Sequence, residues 1–246
     1  GTSKNIGMLA DKNFSRKNGI IFLMYKLSPS DFKYLWNDCK HCYYQKVKYG
    51  IVLPTIGLPG VFTKMNGLLQ ASIQGKNLKD INPDLPSGII EVKEGYLKSA
   101  PIPSAKDCFI SGRFDIVSKL DDGSYTVIDF KISDPKEEKV QKFTHQLHAY
   151  KFALENPSYG AAKNVSKMGV VVVSPEFIEF RDEGVVFKSK PNWFEISENM
   201  GAFFDFISEV SKLLNGPVPQ TSQECSWCKY RLCFIKPDHP KEDWKA

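Results

Sequence analysis

Hydrophobic and polar residues alternate most regularly between Phe109 and Ile132. There two runs rich in β-branched and aromatic residues, Phe109 to Lys119 and Ser124 to Ile132, flank Asp121-Asp122-Gly123. A three-residue loop with glycine at a left-handed position predicts a β-hairpin. Centring the loop on Asp122 sets Ile116 against Ile128 and Asp115 against Asp129, and a bulge would shift that register by one. Strict alternation puts Phe114, Ile116, Ile128, Phe130 and Ile132 on one face and Asp115, Asp129 and Lys131 on the other.

Other stretches carry their own periods. Gly1 to Lys17 is polar and reads as loosely ordered, and the short run Ile20 to Met24 reads as a strand. Ser30 is a candidate N-cap for a helix whose Phe32, Leu35 and Trp36 share a face and whose far end carries Cys39 and Cys42. Pro54 to Gly60 is turn-rich, and Val61 to Ile73 has helical spacing. Lys76 to Ser87 reads as a loop, Gly88 to Leu97 as a strand, and Ala100 to Asp107 as a Pro-containing loop. Pro135 to Asn156 predicts one long helix with Phe143, Leu147, Tyr150 and Leu154 in a core stripe beside Gln146, stopped by Asn156-Pro157. Gly169 to Val173 is a continuous apolar run, the mark of a strand covered on both faces, and Val185 to Lys188 suggests another short strand. Trp193 to Leu214 predicts an amphipathic helix with Phe203, Phe206, Ile207, Val210 and Leu214 inward, ended by Asn215-Gly216-Pro217. Strands alternating with helices predict an α/β fold: a mixed central sheet flanked by helices.

Composition changes this picture little. The 246 residues carry a net charge of +5 and a pI near 8.7, a balance compatible with a polyanionic partner. No apolar run approaches a membrane span and no secretory signal pattern is visible, so the expected location is cytoplasmic, with no membrane partner.

The chemistry concentrates on the hairpin. Two carboxylates facing each other across a ladder repel unless a cation intervenes. Magnesium or manganese takes oxygen ligands, and Asp115, Asp129 and the Phe130 backbone carbonyl supply part of such a shell. Lys131 shares that face and would stand beside the attacking water. Glu91 is a further candidate carboxylate, equally readable as a solvated edge residue. His145 and His148 flank Gln146 but read as solvated helix residues. Cys108 reads as a small buried hydrophobe.

Five of the six cysteines fall in two groups at opposite ends of the chain: Cys39 and Cys42, then Cys225, Cys228 and Cys233. In a chain expected to be intracellular this favours metal over disulfides. Two arrangements are open. Both Cys-x-x-Cys pairs together make a tetrahedral zinc site. Alternatively Cys39, with Cys42 as its substitute, joins Cys225, Cys228 and Cys233 around a [4Fe–4S] cluster.

Gly112-Arg113-Phe114-Asp115, Asp129-Phe130-Lys131 and Gln146 to Tyr150 resemble the successive motifs of the PD-(D/E)XK nuclease superfamily, in particular its RecB-like branch. Ser30, the helix after it and a Cys near Tyr43-Tyr44 are similar to the opening of that branch. The resemblance implies a restriction-endonuclease-like core in a single domain over 1–246. Within it, 28–60 is an N-terminal helix and Cys segment, 61–190 the catalytic core, and 191–246 a C-terminal helix with the Cys group. It implies metal binding by Asp115 and Asp129, action of Lys131 at the nucleophilic water, and Gln146 and Tyr150 beside the DNA. It further implies a structural [4Fe–4S] cluster stapling the termini, as in CRISPR-associated exonucleases. Two departures accompany it: Asn66 stands where relatives bring a His, and the late Cys group is one residue short between its second and third members. The implied function is a Mg- or Mn-dependent DNA exonuclease of repair, recombination or CRISPR adaptation, from a prokaryote or phage, with single-stranded or free-ended DNA and proteins of those pathways as partners. The rivals are a catalytically inactive nucleic-acid-binding or assembly subunit and a zinc-stapled nuclease acting on RNA.

Overall fold

Ile116 stands opposite Ile128 and Lys119 opposite Tyr125 in the computed structural model, the register expected for the hairpin. The structure describes residues 13–17, 20–52, 59–134 and 136–235; the side chains at 13–17, 20–23, 92, 93, 137, 139 and 233–235 fall outside that description. In chain order the first elements are β1 (Asn13–Lys17), β2 (Ile20–Leu27), α1 (Pro29–Lys33), α2 (Leu35–Asp38), α3 (Lys40–Tyr49) and α4 (Gly60–Ile73). Next come β3 (Gly88–Ile102), β4 (Ala105–Leu120), β5 (Tyr125–Ile132), α5 (Glu137–Val140) and α6 (Thr144–Glu155). The chain continues through β6 (Val165–Val173), β7 (Phe177–Arg181), β8 (Gly184–Lys188), β9 (Asn192–Glu195), α7 (Met200–Asn215) and α8 (Ser226–Ile235).

The hairpin turn closes as its residues dictate. Gly123 takes φ +84°, and Asp122 Oδ1 accepts from the backbone N–H and hydroxyl of Ser124 at 2.9 and 2.6 Å. Around the hairpin a mixed sheet runs β1-β2-β4-β5-β6-β9, with β3 also paired to β4. β2 lies parallel to β4, β6 parallel to β5, and the remaining pairs are antiparallel. Helix α6 makes the crossover from β5 to β6 that a parallel pair requires. One face of the sheet packs on α1, α2, α3, α6 and α7 through Phe32, Trp36, Tyr43, Leu147, Phe203 and Val210; the other is covered by Ile73, Leu78 and Leu85.

The pairing of β4 positions the acidic residues. β4 pairs with β2 through Cys108–Ile110 and with β5 through Ile116–Lys119, so the same β4 residues do not serve both neighbours. The chain between them, Ser111 to Asp115, lies at a fork. Gly112 sits there because Pro29, which opens α1, packs onto it: a Cβ at 112 would come within 2.9 Å of Pro29 Cδ.

Several expectations are corrected. Residues 13–17 form a strand, while 1–12 and 53–58, which include most of the turn-rich stretch at 54–60, lie outside the described residues. The helix cap is Ser28, not Ser30, because Pro29 fits the first helical turn, and the single helix is three short ones. The stretch 100–107 is mostly strand: β3 and β4 continue to Ile102 and from Ala105. The helix at 135–156 is broken into α5, a 3-10 turn at Gln141–Phe143 and α6. Trp193 belongs to a strand, since its ring covers Gly169 of β6, and helix α7 starts only after the Asn199 cap; its inward residues are those expected. Phe114 leaves the face of Ile116 for the helix-side core, its ring over Gly95, next to Glu94 at φ +51° on β3. The alternation breaks at Asp115 itself. His145 and His148 are packed rather than solvated: His145 stacks on Phe206 at 3.8 Å, and buried His148 accepts from the Asn199 N–H at 2.8 Å. Burial holds both imidazoles below the usual histidine range. Cys108 is fully buried as expected.

Candidate active site and the cysteine group

At the fork, β5 leaves β4 just past the Ile116–Ile128 pair, and a side chain takes over from the ladder. Asp115 Oδ2 accepts from the Phe130 backbone N–H at 2.9 Å. Along an extended strand a residue's N–H and C=O point to the same edge, so the Phe130 carbonyl is directed to the Asp115 side. Asp129 precedes it on β5 and is 1 % exposed, against 27 % for the Asp115 side chain. Lys131 Nζ lies 2.8 Å from Asp129 Oδ2 and 3.6 Å from Asp115 Oδ2, so one ammonium joins both carboxylates.

Helix α6 completes the back of the site. Gln146 Nε2 donates to Asp129 Oδ1 at 3.0 Å and to the Tyr150 hydroxyl at 2.9 Å, all three groups being buried. Gln146 and Tyr150 share a helix face because four residues separate them. The five residues expected at the site, Asp115, Asp129, Lys131, Gln146 and Tyr150, are therefore brought together.

Burial pushes the Asp129 carboxyl up to about 6; Lys131 pulls it down and Asp115 pushes it further up. Burial also acts to lower Lys131, but Asp129 and Asp115 outweigh it and hold the ammonium above its ordinary value. Lys131 is therefore charged at neutral pH. Burial raises Tyr150, which remains a neutral phenol.

Glu91 is not brought to this group: it is exposed on β3, 3.7 Å from Lys163 Nζ. Among the described residues no third His, Cys, Asp or Glu joins Asp115 and Asp129 in a compact set, and Asn66 is half-buried on α4. Lys33, which carried no sequence signal, does approach the site. Its Nζ lies 3.4 Å from the centre of the Phe143 ring, whose centre is 5.5 Å from Lys131 Nζ. Burial, then the Lys131 charge, push Lys33 down to about 8. Nearly a hundred residues separate the two lysines, so no local period links them.

The second group lies between the ends of the chain. Cys39 caps α3 from an extended backbone (φ −163°, ψ 110°), and Cys42 sits one turn inside that helix. Cys225 immediately precedes α8 and Cys228 lies one turn inside it, so the two Cys-x-x-Cys pairs have the same placement. The four buried sulfurs all lie within 4.8 Å of one another. Cys39–Cys228 is 3.6 Å, and Cys42–Cys225 and Cys42–Cys228 are 3.7 Å, contacts too long for disulfides. Cys42 thus joins Cys39 rather than replacing it. The Cys233 side chain lies outside the described residues. The group is suited to a metal and links the N- and C-terminal segments.

No helix among the described residues is long and apolar enough to cross a membrane. A family model described as the PD-(D/E)XK nuclease superfamily matches residues 78–233, which hold the fork, α6 and the late cysteines. No curated protein matches the chain. Among solved structures, one titled "Crystal structure of SSO0001" is similar at 15% identity with a TM-score of 0.48, covering 84% of each chain.

Proposed function

Because the chain belongs to the PD-(D/E)XK nuclease superfamily, we propose that it is a divalent-metal-dependent deoxyribonuclease that hydrolyses phosphodiester bonds from single-stranded or frayed DNA ends. Membership itself implies a nuclease hydrolase that binds nucleic acid. The finer reading is carried by one observation: Asp115 and Asp129 converge on a single ammonium, that of Lys131, at the fork of the sheet.

The donor set suits magnesium or manganese. Asp115, Asp129 and the Phe130 carbonyl are hard oxygen donors, and the buried Asp129 charge is paired with the Lys131 ammonium, which it shares with a second carboxylate. These three residues would hold the ion. When bound, it supplies positive charge that polarises the phosphoryl group and acidifies water. Gln146 fixes Asp129 through Oδ1, leaving Oδ2 toward Lys131, and Tyr150 in turn fixes Gln146. Lys131 donates hydrogen bonds to the attacking water or to the phosphoryl oxygens as charge builds on them. Lys33 adds a second ammonium near the same ring, suited to holding a backbone phosphate. Water attacks phosphorus in line with the departing sugar oxygen.

One observation favours the rival, a non-catalytic nucleic-acid-binding subunit: the absence of a third side-chain ligand among the described residues. End-labelled single- and double-stranded DNA, incubated with magnesium, manganese or chelator, separates the two. Metal-dependent loss of terminal label is expected, faster on single strands, consistent with a place in repair, recombination or CRISPR adaptation. Intact DNA after incubation with folded, metal-supplied protein would sink the nuclease reading.

A further inference from the structure

We infer that Cys39, Cys42, Cys225 and Cys228 hold one zinc ion in a closed tetrahedral site, and that a [4Fe–4S] cluster is not what fastens the ends of this chain. The inference stands whether or not the protein cleaves DNA.

A zinc–thiolate bond is about 2.3 Å, so four sulfurs on one tetrahedral ion stand about 3.8 Å apart, and no two can exceed about 4.6 Å. In a cubane cluster each thiolate binds a different iron with sulfides between, which spreads the four sulfurs to roughly 6 Å. The sulfur contacts here are 3.6, 3.7 and 3.7 Å, and every pair lies within 4.8 Å. The three contacts match the spacing around one ion, and a limit of 4.8 Å on every pair falls short of the spread a cluster needs.

Topology agrees with distance. Each pair places its first Cys just before a helix and its second one turn in, so both present two sulfurs from a helix N-terminus. The amide dipoles there favour thiolates. Four thiols losing their protons around a divalent ion leave a net charge of two minus. Arg231 Nη2 donates to Cys42 Sγ at 2.7 Å, bringing positive charge from α8 itself. All four positions of the ion are filled by protein, the closed form of a structural site, and zinc has no redox chemistry to use there. The set is complete without Cys233, and it requires Cys42.

This choice of cysteines makes the test sharp. Wild type, Cys42→Ser and Cys233→Ser are purified without oxygen from cells supplied with both iron and zinc; metal, acid-labile sulfide, visible absorbance and melting temperature are then measured. About one zinc per chain, no sulfide and no visible absorption are expected for wild type and for Cys233→Ser. Cys42→Ser is expected to lose zinc and melt earlier. Should that variant fail to fold, wild type and Cys233→Ser still decide. Iron in wild type, with or without sulfide, overturns the inference, as does loss of the metal from Cys233→Ser.

Discussion

The acidic fork and the cysteine group are both places where the fold gathers ligands, yet they are built in opposite ways. The fork takes Asp115, Asp129, Lys131, Gln146 and Tyr150 from one hairpin and helix α6, all within residues 115–150. The cysteine group joins segments almost two hundred residues apart. Oxygen donors in a half-open fork, with Asp115 and Lys131 partly exposed, leave space for water and a phosphate. Sulfur donors that are all buried leave none. An exchangeable ion suits the first and a permanent one the second.

If the two are independent, damage to the fork should spare the clasp. The largest effect is expected from Lys131→Ala: cleavage should fall by on the order of 10² to 10³-fold, with DNA binding, fold and cysteine-bound metal unchanged. A variant that also loses its cysteine metal would break the comparison. Single-turnover cleavage beside metal analysis reads both.

A smaller effect concerns pH. The folded value of Asp129, about 6, lies above its ordinary 3.8, so the folded protein binds that proton more tightly than the unfolded chain does. The resulting stability is complete below about pH 4 and is lost as pH rises through 6, by about 3 kcal/mol without divalent metal. Denaturant titrations from pH 4 to 7 should show this decline in wild type and not in Asp129→Asn. Added manganese, which requires the ionised carboxylate, should offset it at the upper end.

The smallest effect sharpens the boundary of the fork. Lys33→Gln should raise KM for DNA by roughly three- to tenfold while leaving kcat within about twofold, because its ammonium meets a phosphate and not the reacting bond. An equal fall in kcat with KM unmoved would place Lys33 in the chemistry instead.

The same contrast explains what was legible in the sequence. A two-residue period and a left-handed Gly123 specify the Ile116–Ile128 register, and an i, i+4 spacing puts Gln146 and Tyr150 on one helix face. Such signals are local. The break of alternation at Phe114 came from Gly95 on another strand, and the strand at Trp193 from pairing with β6; four residues are too few to display a strand period. The cysteines were visible as a group, but a spacing pattern does not say which of them converge; Cys39, Cys42, Cys225 and Cys228 do so where two helix starts meet. Lys33 was hidden for the same reason: the ring of Phe143, distant in sequence, links it to Lys131.

The central claim is that the fork is a metal-dependent hydrolytic site. Its most direct test is the rate of manganese-dependent release of label from end-labelled single-stranded DNA by wild type and by Asp129→Asn, which keeps the shape of the side chain and removes its charge. The predicted result is cleavage by wild type that chelator abolishes and a rate for Asp129→Asn lower by on the order of a hundredfold. Equal rates for the two proteins would contradict it.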